Sequence, residues 1–163
     1  MSKQFPTFLG VGLVVIGLVW YLFYAGTKDL ALAVGGDVLK VRTSELSPRN
    51  TFVAADFRIR NTSAVDFMLK DAQIFVTMAN GKEIEGTTVA RADVDNIIEH
   101  VPVLGPKYNQ VLIIRDRVKA HVSLDRMVAA TFDRDEADIT NRKSLRLHLH
   151  EVDGKDFDLL EKK

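Results

Sequence analysis

Val53-Ala54-Ala55-Asp56-Phe57-Arg58-Ile59-Arg60 is the stretch that decides the fold. Val53, Ala55, Phe57 and Ile59 alternate with Ala54, Asp56, Arg58 and Arg60, and a period of two places the first set on one face of a β-strand. The same period recurs on both sides. Upstream, Leu39 and Val41 alternate with Lys40 and Arg42. Downstream, Ala72, Ile74, Val76 and Met78 form a third strand, and Asn80-Gly81 follows as a tight hairpin turn that accepts positive φ. A fourth strand is expected from Lys82 through Ile84 toward Val89.

Near the C-terminus Leu145, Leu147 and Leu149 alternate with Arg146, His148 and His150. Asp153-Gly154 reads as a second tight turn before a last strand around Phe157 to Leu160. Val111 to Ile114 and Met127 to Phe132 are further apolar stretches, and Val118, Ala120 and Val122 alternate weakly. Seven to eight short strands joined by turns predict an antiparallel sandwich. One segment departs from this period. Val94, Ile97, Ile98 and Val101 recur at helical spacing, with Asp93 placed to cap and Pro102 to terminate. A short amphipathic helix over Asp93 to His100 is expected to lie over an open end or face of the sandwich. The loop from Gly105 through Pro106, Lys107 and Tyr108 to Asn109 returns the chain to strand.

Ahead of the strands, Phe5 to Ala25 is a run of 21 positions without a charge. As a helix it would reach roughly 30 Å, about a bilayer's hydrocarbon core. Trp20, Tyr21 and Tyr24 crowd one end in the manner of an aromatic belt, and Lys28-Asp29 stops the run. The core is longer than that of a cleaved signal peptide, and Ala31 and Ala33, the Ala-x-Ala pair, lie beyond Lys28-Asp29. The expected fold is therefore all-β, with an N-terminal single transmembrane α-helix followed by an immunoglobulin-like antiparallel β-sandwich carrying one short inserted helix. The expected division is residues 1–28 for tail and helix and 29–163 for the sandwich. Lys3 favours a cytoplasmic N-terminus, and hence a single-pass inner-membrane protein with its domain outside the cytoplasm. After Ala25, 21 basic residues stand against 22 acidic ones, so the basic excess of a nucleic-acid binder is missing. The chain has no cysteine, which excludes disulfides and a lipidated cysteine anchor.

The order of elements resembles the membrane-anchored, immunoglobulin-like β-sandwich proteins of bacteria related to the late-embryogenesis-abundant type 2 (WHy) domain family. Phe57-Arg58-Ile59-Arg60-Asn61-Thr62-Ser63 is similar to that family's alternating strand ending in Asn and small polar residues. Asn80-Gly81-Lys82-Glu83 is similar to its next hairpin. Arg142-Lys143-Ser144-Leu145-Arg146-Leu147 resembles a strand start in the anchored relatives, with Met127 to Phe132 upstream of it. Asn61-Thr62 stands where the best-known members have Asn-Pro. The resemblance implies a non-enzymatic domain, in some members tied to stress tolerance or envelope binding, and supplies no catalytic residues.

His148-x-His150 puts two imidazoles on one strand face, a pair suited to Zn or Cu. A third ligand is needed, and Glu83, Asp156, His100 and His121 qualify by residue type alone. The simpler expectation is a solvent face opposite Leu147 and Leu149. The acidic stretch Asp133 to Asp138 lacks the glycine and distal Glu of an EF-hand and reads as a solvated loop ending in a helical turn. Asn61-Thr62-Ser63 fits a glycosylation sequon and equally a strand end. There is no nucleophile elbow and no phosphate loop. Neither catalytic residues, metal nor cofactor is expected.

The expected function is a non-enzymatic, membrane-anchored module for protein or envelope interaction, with Ile97 and Ile98 beside a contact surface. No nucleic acid or small-molecule substrate is expected. The alternative is an accessory subunit assembled into a membrane complex through its helix.

Overall fold

The computed structural model describes residues 5–27, 34–152 and 156–161, and within the first stretch the side chains of 10 and 12–25. The chain divides into two units, Met1–Ala31 and Leu32–Lys163. Lys28-Asp29, Ala31 with Ala33, and the Asp153-Gly154 turn lie outside the described residues.

In the first unit Phe5–Thr27 forms α1, a helix of 23 residues. Trp20 stacks on Tyr24 at 6.4 Å between ring centroids, and both are exposed, as is Tyr21. Among the described residues no helix is long and apolar enough to cross a membrane. The transmembrane helix expected over Phe5 to Ala25 is corrected accordingly. The belt role expected of Trp20, Tyr21 and Tyr24 rested on that span.

The second unit is two antiparallel sheets in a sandwich-like arrangement. One sheet runs in the order β1 (Val34–Ser47), β2 (Asn50–Asn61), β7 (Ser123–Phe132), β5 (Thr87–Thr88). The other runs β4 (Glu83–Glu85), β3 (Phe67–Thr77), β8 (Ser144–Glu151), β9 (Phe157–Leu160), with β6 (Arg117–Val118) also pairing β3. Val53, Ala55, Phe57 and Ile59 of β2 fill the space between the sheets together with Ile74, Val76, Leu145, Leu147 and Leu149. On the side of β1 and β9 the sheets meet at a bridge between Val38 and Glu161.

Two bulges change the facing of strands. In β1 the register shifts between Val38 and Lys40, so Val38 and Val41 both pack on the core while Leu39 turns out to 47% exposure. In β3 the shift falls between Leu69 and Asp71, so Phe67 and Leu69 face inward like Ala72, Ile74 and Val76, though their parity differs. The hairpin after β3 closes with Met78 N–H donating to the Lys82 carbonyl at 2.8 Å, and only Gly81, at φ 86°, takes the left-handed conformation there. The strand expected to run on toward Val89 stops at Glu85. Gly86 carries the chain across to the other sheet, where a Cβ would stand 2.6 Å from the Phe132 ring and 2.8 Å from Ala130.

Helix α2 (Arg91–His100) lies over the outer face of the first sheet. Val94 and Ile98 are buried there with Phe52, Ala54, Met127 and Ala129, and Ile97 packs alongside, half-buried. The helix begins two residues earlier than Asp93. Ala90 holds the N-cap position without a side-chain bond, and Asp93 sits in the first turn, where its charge suits the helix dipole. Pro102 opens a 3-10 turn, Pro102–Leu104. A third short helix, α3 (Glu136–Thr140), follows the acidic loop and buries Ile139.

Replacing Ile98 with Asp puts a carboxylate into this second core and is expected to cost about 3 kcal/mol or more in urea unfolding. Ile97→Asp, at the half-buried rim, is expected to cost less than half of that. On the outer face of the same sheet, Arg58 and Asp125 pair across β2 and β7 at 2.7 and 2.8 Å. The hydrogen bond from Arg58 holds the Asp125 carboxyl below its ordinary range. A lowered folded-state value gives stability that is present above the unfolded carboxyl value and lost as pH falls through the folded one. Asp125→Asn is therefore expected to flatten the acid limb of a stability–pH curve below about pH 4.

Candidate functional site

Strand β8 buries Leu145, Leu147 and Leu149 and turns Arg146, His148 and His150 to the outer face, as their alternation requires. Its antiparallel pairing with β9 sets His148 opposite Asp158. The His148 Nδ1 lies 2.5 Å from Asp158 Oδ1. Asp156, just ahead of β9, places Oδ1 2.8 Å from His150 Nδ1 and Oδ2 3.8 Å from His148 Nε2. The two imidazoles cross edge to face at 4.3 Å between centroids. One ligand atom each from His148, His150 and Asp156 fall within 4.8 Å of one another.

Arg146 continues the row. It forms a two-pronged contact with Glu83 at 2.9 and 3.1 Å and reaches Asp158 at 3.2 Å. These bonds, the Glu83 one foremost, raise the Arg146 value above its ordinary one. Burial works to raise the Asp158 carboxyl, but the bonds from His148 and Arg146 outweigh it and hold it below its usual value. An ionised carboxylate only accepts hydrogen bonds, so His148 Nδ1 carries the proton toward Asp158. In the neutral ring that leaves Nε2, on the Asp156 side, with a free lone pair.

Of the third ligands named by type, Asp156 joins the histidines. Glu83 is held by Arg146. His100 sits on α2 with Nδ1 2.8 Å from the Asn96 carbonyl, and His121 lies in a turn at φ 58°. The acidic stretch behaves as a connecting loop, with Glu136 accepting from Thr43 and from the Glu45 amide. Asn61 is 2% exposed, donates to the Val65 and Val118 carbonyls, and accepts from Ser63. That bonding is a strand-end clasp and closes the sequon to modification. Of the pair named for contact, Ile98 is buried and Ile97 is partly exposed at the helix rim.

Two features escape sequence reasoning. Arg42, alternating with apolar neighbours, reads as a solvent residue, yet it is 7% exposed. Its guanidinium donates to Asp56 at 2.9 Å and to the Leu104 and Pro106 carbonyls, each at 2.9 Å, while Asn109 donates to the other Asp56 oxygen. Tyr108 stacks above Arg42 and Lys40. The loop 104–109 is thus clamped to the first sheet by one buried ion pair. The second feature is a groove of about 380 Å³ where the sandwich opens between β3 and β7. Leu69, Ala72, Val89 and Val111 line it, and Ile113 and Ile114 stand at its mouth. Val111 to Ile114, expected as a strand, makes only a bridge to Met127 before turning to β3, where Arg115 N–H donates to the Leu69 carbonyl.

No protein-family model and no curated protein matches the chain. Among solved structures it is similar to the ycdA protein of Bacillus subtilis, at 9% identity and a TM-score of 0.48, over 78% of this chain and 35% of that one. The chain thus spans about a third of that protein's length. It is also similar to a β-sandwich protein from Clostridium difficile, at 11% identity and a TM-score of 0.36, over 81% of this chain and 82% of that one. At these levels the likenesses speak to no activity.

The Arg42–Asp56 clamp makes a prediction of opposite signs for single and paired substitution. Asp56→Ala leaves a buried guanidinium unpaired and is expected to cost about 3 to 5 kcal/mol in denaturant unfolding. The double variant Arg42→Met with Asp56→Leu removes both charges and is expected to recover most of that loss.

Proposed function

We propose that the sandwich is a non-enzymatic binding module for a protein of the cell envelope, contacted at the groove between β3 and β7. The observation that carries this reading is the pair Ile113 and Ile114, 46% and 73% exposed at the mouth of an apolar groove. Two adjacent branched apolar side chains held in water at such a rim favour a partner that covers them. The neighbouring edge of β3 is already bonded within the chain: the Leu69 carbonyl accepts from Arg115 N–H, the Ala72 carbonyl from the Thr88 hydroxyl and the Ile74 carbonyl from Gly86 N–H. The groove itself is left to take an apolar side chain of the partner. The resemblance to the WHy-related proteins, in which the domain is non-enzymatic, is in keeping with this reading.

A photo-crosslinking residue at position 114, with one at exposed Glu99 of α2 as reference, tests it in the native cell. A discrete adduct is expected from position 114 alone. The captured protein, purified, should bind the wild-type chain and lose about tenfold or more in affinity to Ile113→Asp/Ile114→Asp, with unfolding unchanged. Equal labelling from both positions, or undiminished affinity of the double variant, rejects the groove as the contact.

A further inference from the structure

We infer that His148, His150 and Asp156 form a binding site for a divalent transition metal ion, with Zn(II) the best chemical fit. Two imidazoles and one carboxylate are a borderline nitrogen and oxygen set, which suits Zn(II) and its neighbours rather than Ca or Mg. The three donors already stand together, within 4.8 Å, on the outer face of the β8–β9 pair. A tetrahedral Zn(II) with bonds near 2.0 to 2.1 Å holds its ligand atoms about 3.3 Å apart. The 3.8 Å from His148 Nε2 to Asp156 Oδ2 is within a rotamer adjustment of that spacing.

A feature beyond residue type supports the assignment. Metal-bound imidazoles characteristically donate their other ring N–H to a carboxylate, which orients the ring and makes the ligating nitrogen more basic. His148 already has this arrangement: Nδ1 donates to Asp158 at 2.5 Å, and Nε2 points to Asp156. Asp158 is itself held by Arg146 and stays in place as an orienting group. Binding exchanges the His150–Asp156 hydrogen bond for two bonds to the metal and releases a proton from any imidazole protonated at the ligating nitrogen. Three protein donors leave a fourth position for water, because Asp156 lies on the exposed side of the cluster. Backbone placement does the assembly. His148 and His150 are fixed by a strand whose opposite face is core, so only Asp156 needs to move.

Titration of the full chain with Zn(II) alone, followed by calorimetry and thermal unfolding, tests the site. One equivalent is expected to bind with saturation, and the melting temperature should rise with Zn(II) concentration. The variants His148→Gln and His150→Gln are expected to weaken binding by about a hundredfold, and Asp158→Asn by about tenfold through the orienting bond. His100→Gln and His121→Gln should leave it unchanged. Imidazole resonances of His148 and His150 should shift on titration while those of His100 and His121 do not, a readout that survives if a variant unfolds. Absence of saturable binding up to about 1 mM, retention of binding in the His148→Gln/His150→Gln double variant, or shifts confined to other histidines would overturn the assignment.

Discussion

Strand β2 serves two cores at once, and the rest of the domain is arranged around that constraint. Val53, Ala55, Phe57 and Ile59 fill the gap between the sheets, while Phe52 and Ala54 form the floor beneath α2. A sheet in a simple sandwich wets its outer face. Here the outer face of the first sheet is too apolar around Phe52, Ala54, Met127 and Ala129 to be left in water, so a helix has to cover it. Asp56 lies on that same outer face at 2% exposure and needs a partner once covered. Arg42 from β1 supplies the charge, and its Nη1 donates to the Leu104 and Pro106 carbonyls of the loop that follows α2. The position of that loop is thus a consequence of one buried carboxylate.

How much of this could be read from the chain depends on where parity holds. The alternations at 53–59, 72–76 and 145–149 run unbroken, and each places its apolar set in the core. Leu39 misleads because a bulge intervenes, and Phe67 with Leu69 escapes notice because the bulge before Asp71 reverses their parity relative to Ala72. Gly86 ends a strand that residue type alone would extend, since what stops it is a tight passage between sheets rather than a turn signal. The helix over 91–100 is visible from its apolar spacing, but its start is not, because Ala90 caps with backbone alone. The uncharged run at the N-terminus shows itself as helix α1, while the span read into it is not supported among the described residues. Arg42 and Asp56 illustrate a deeper limit. Charged residues at alternating positions signal a wet face, and only the tertiary placement of α2 and the loop 104–109 turns that face into an interior.

The outer face of the β8–β9 pair shows the same limit from the other side. The shared facing of His148 and His150 follows from a period of two. Their acidic neighbours do not, since the register across β8 and β9 decides that Asp158 meets His148 and that Asp156 falls between the rings. Arg146 ties β8 to its neighbour β9 through Asp158 and, across β3, to β4 through Glu83, and such cross-strand pairs suit narrow edges such as four-residue β9. The two ends of the row differ in kind. Around Arg146 a permanent cation bonds both Glu83 and Asp158 and fixes them in place. Around His150 the facing carboxylate is Asp156, which stands ahead of β9, where the strand ladder does not hold it, so the geometry at this end can adjust to a cation in a way that the Arg146 end cannot.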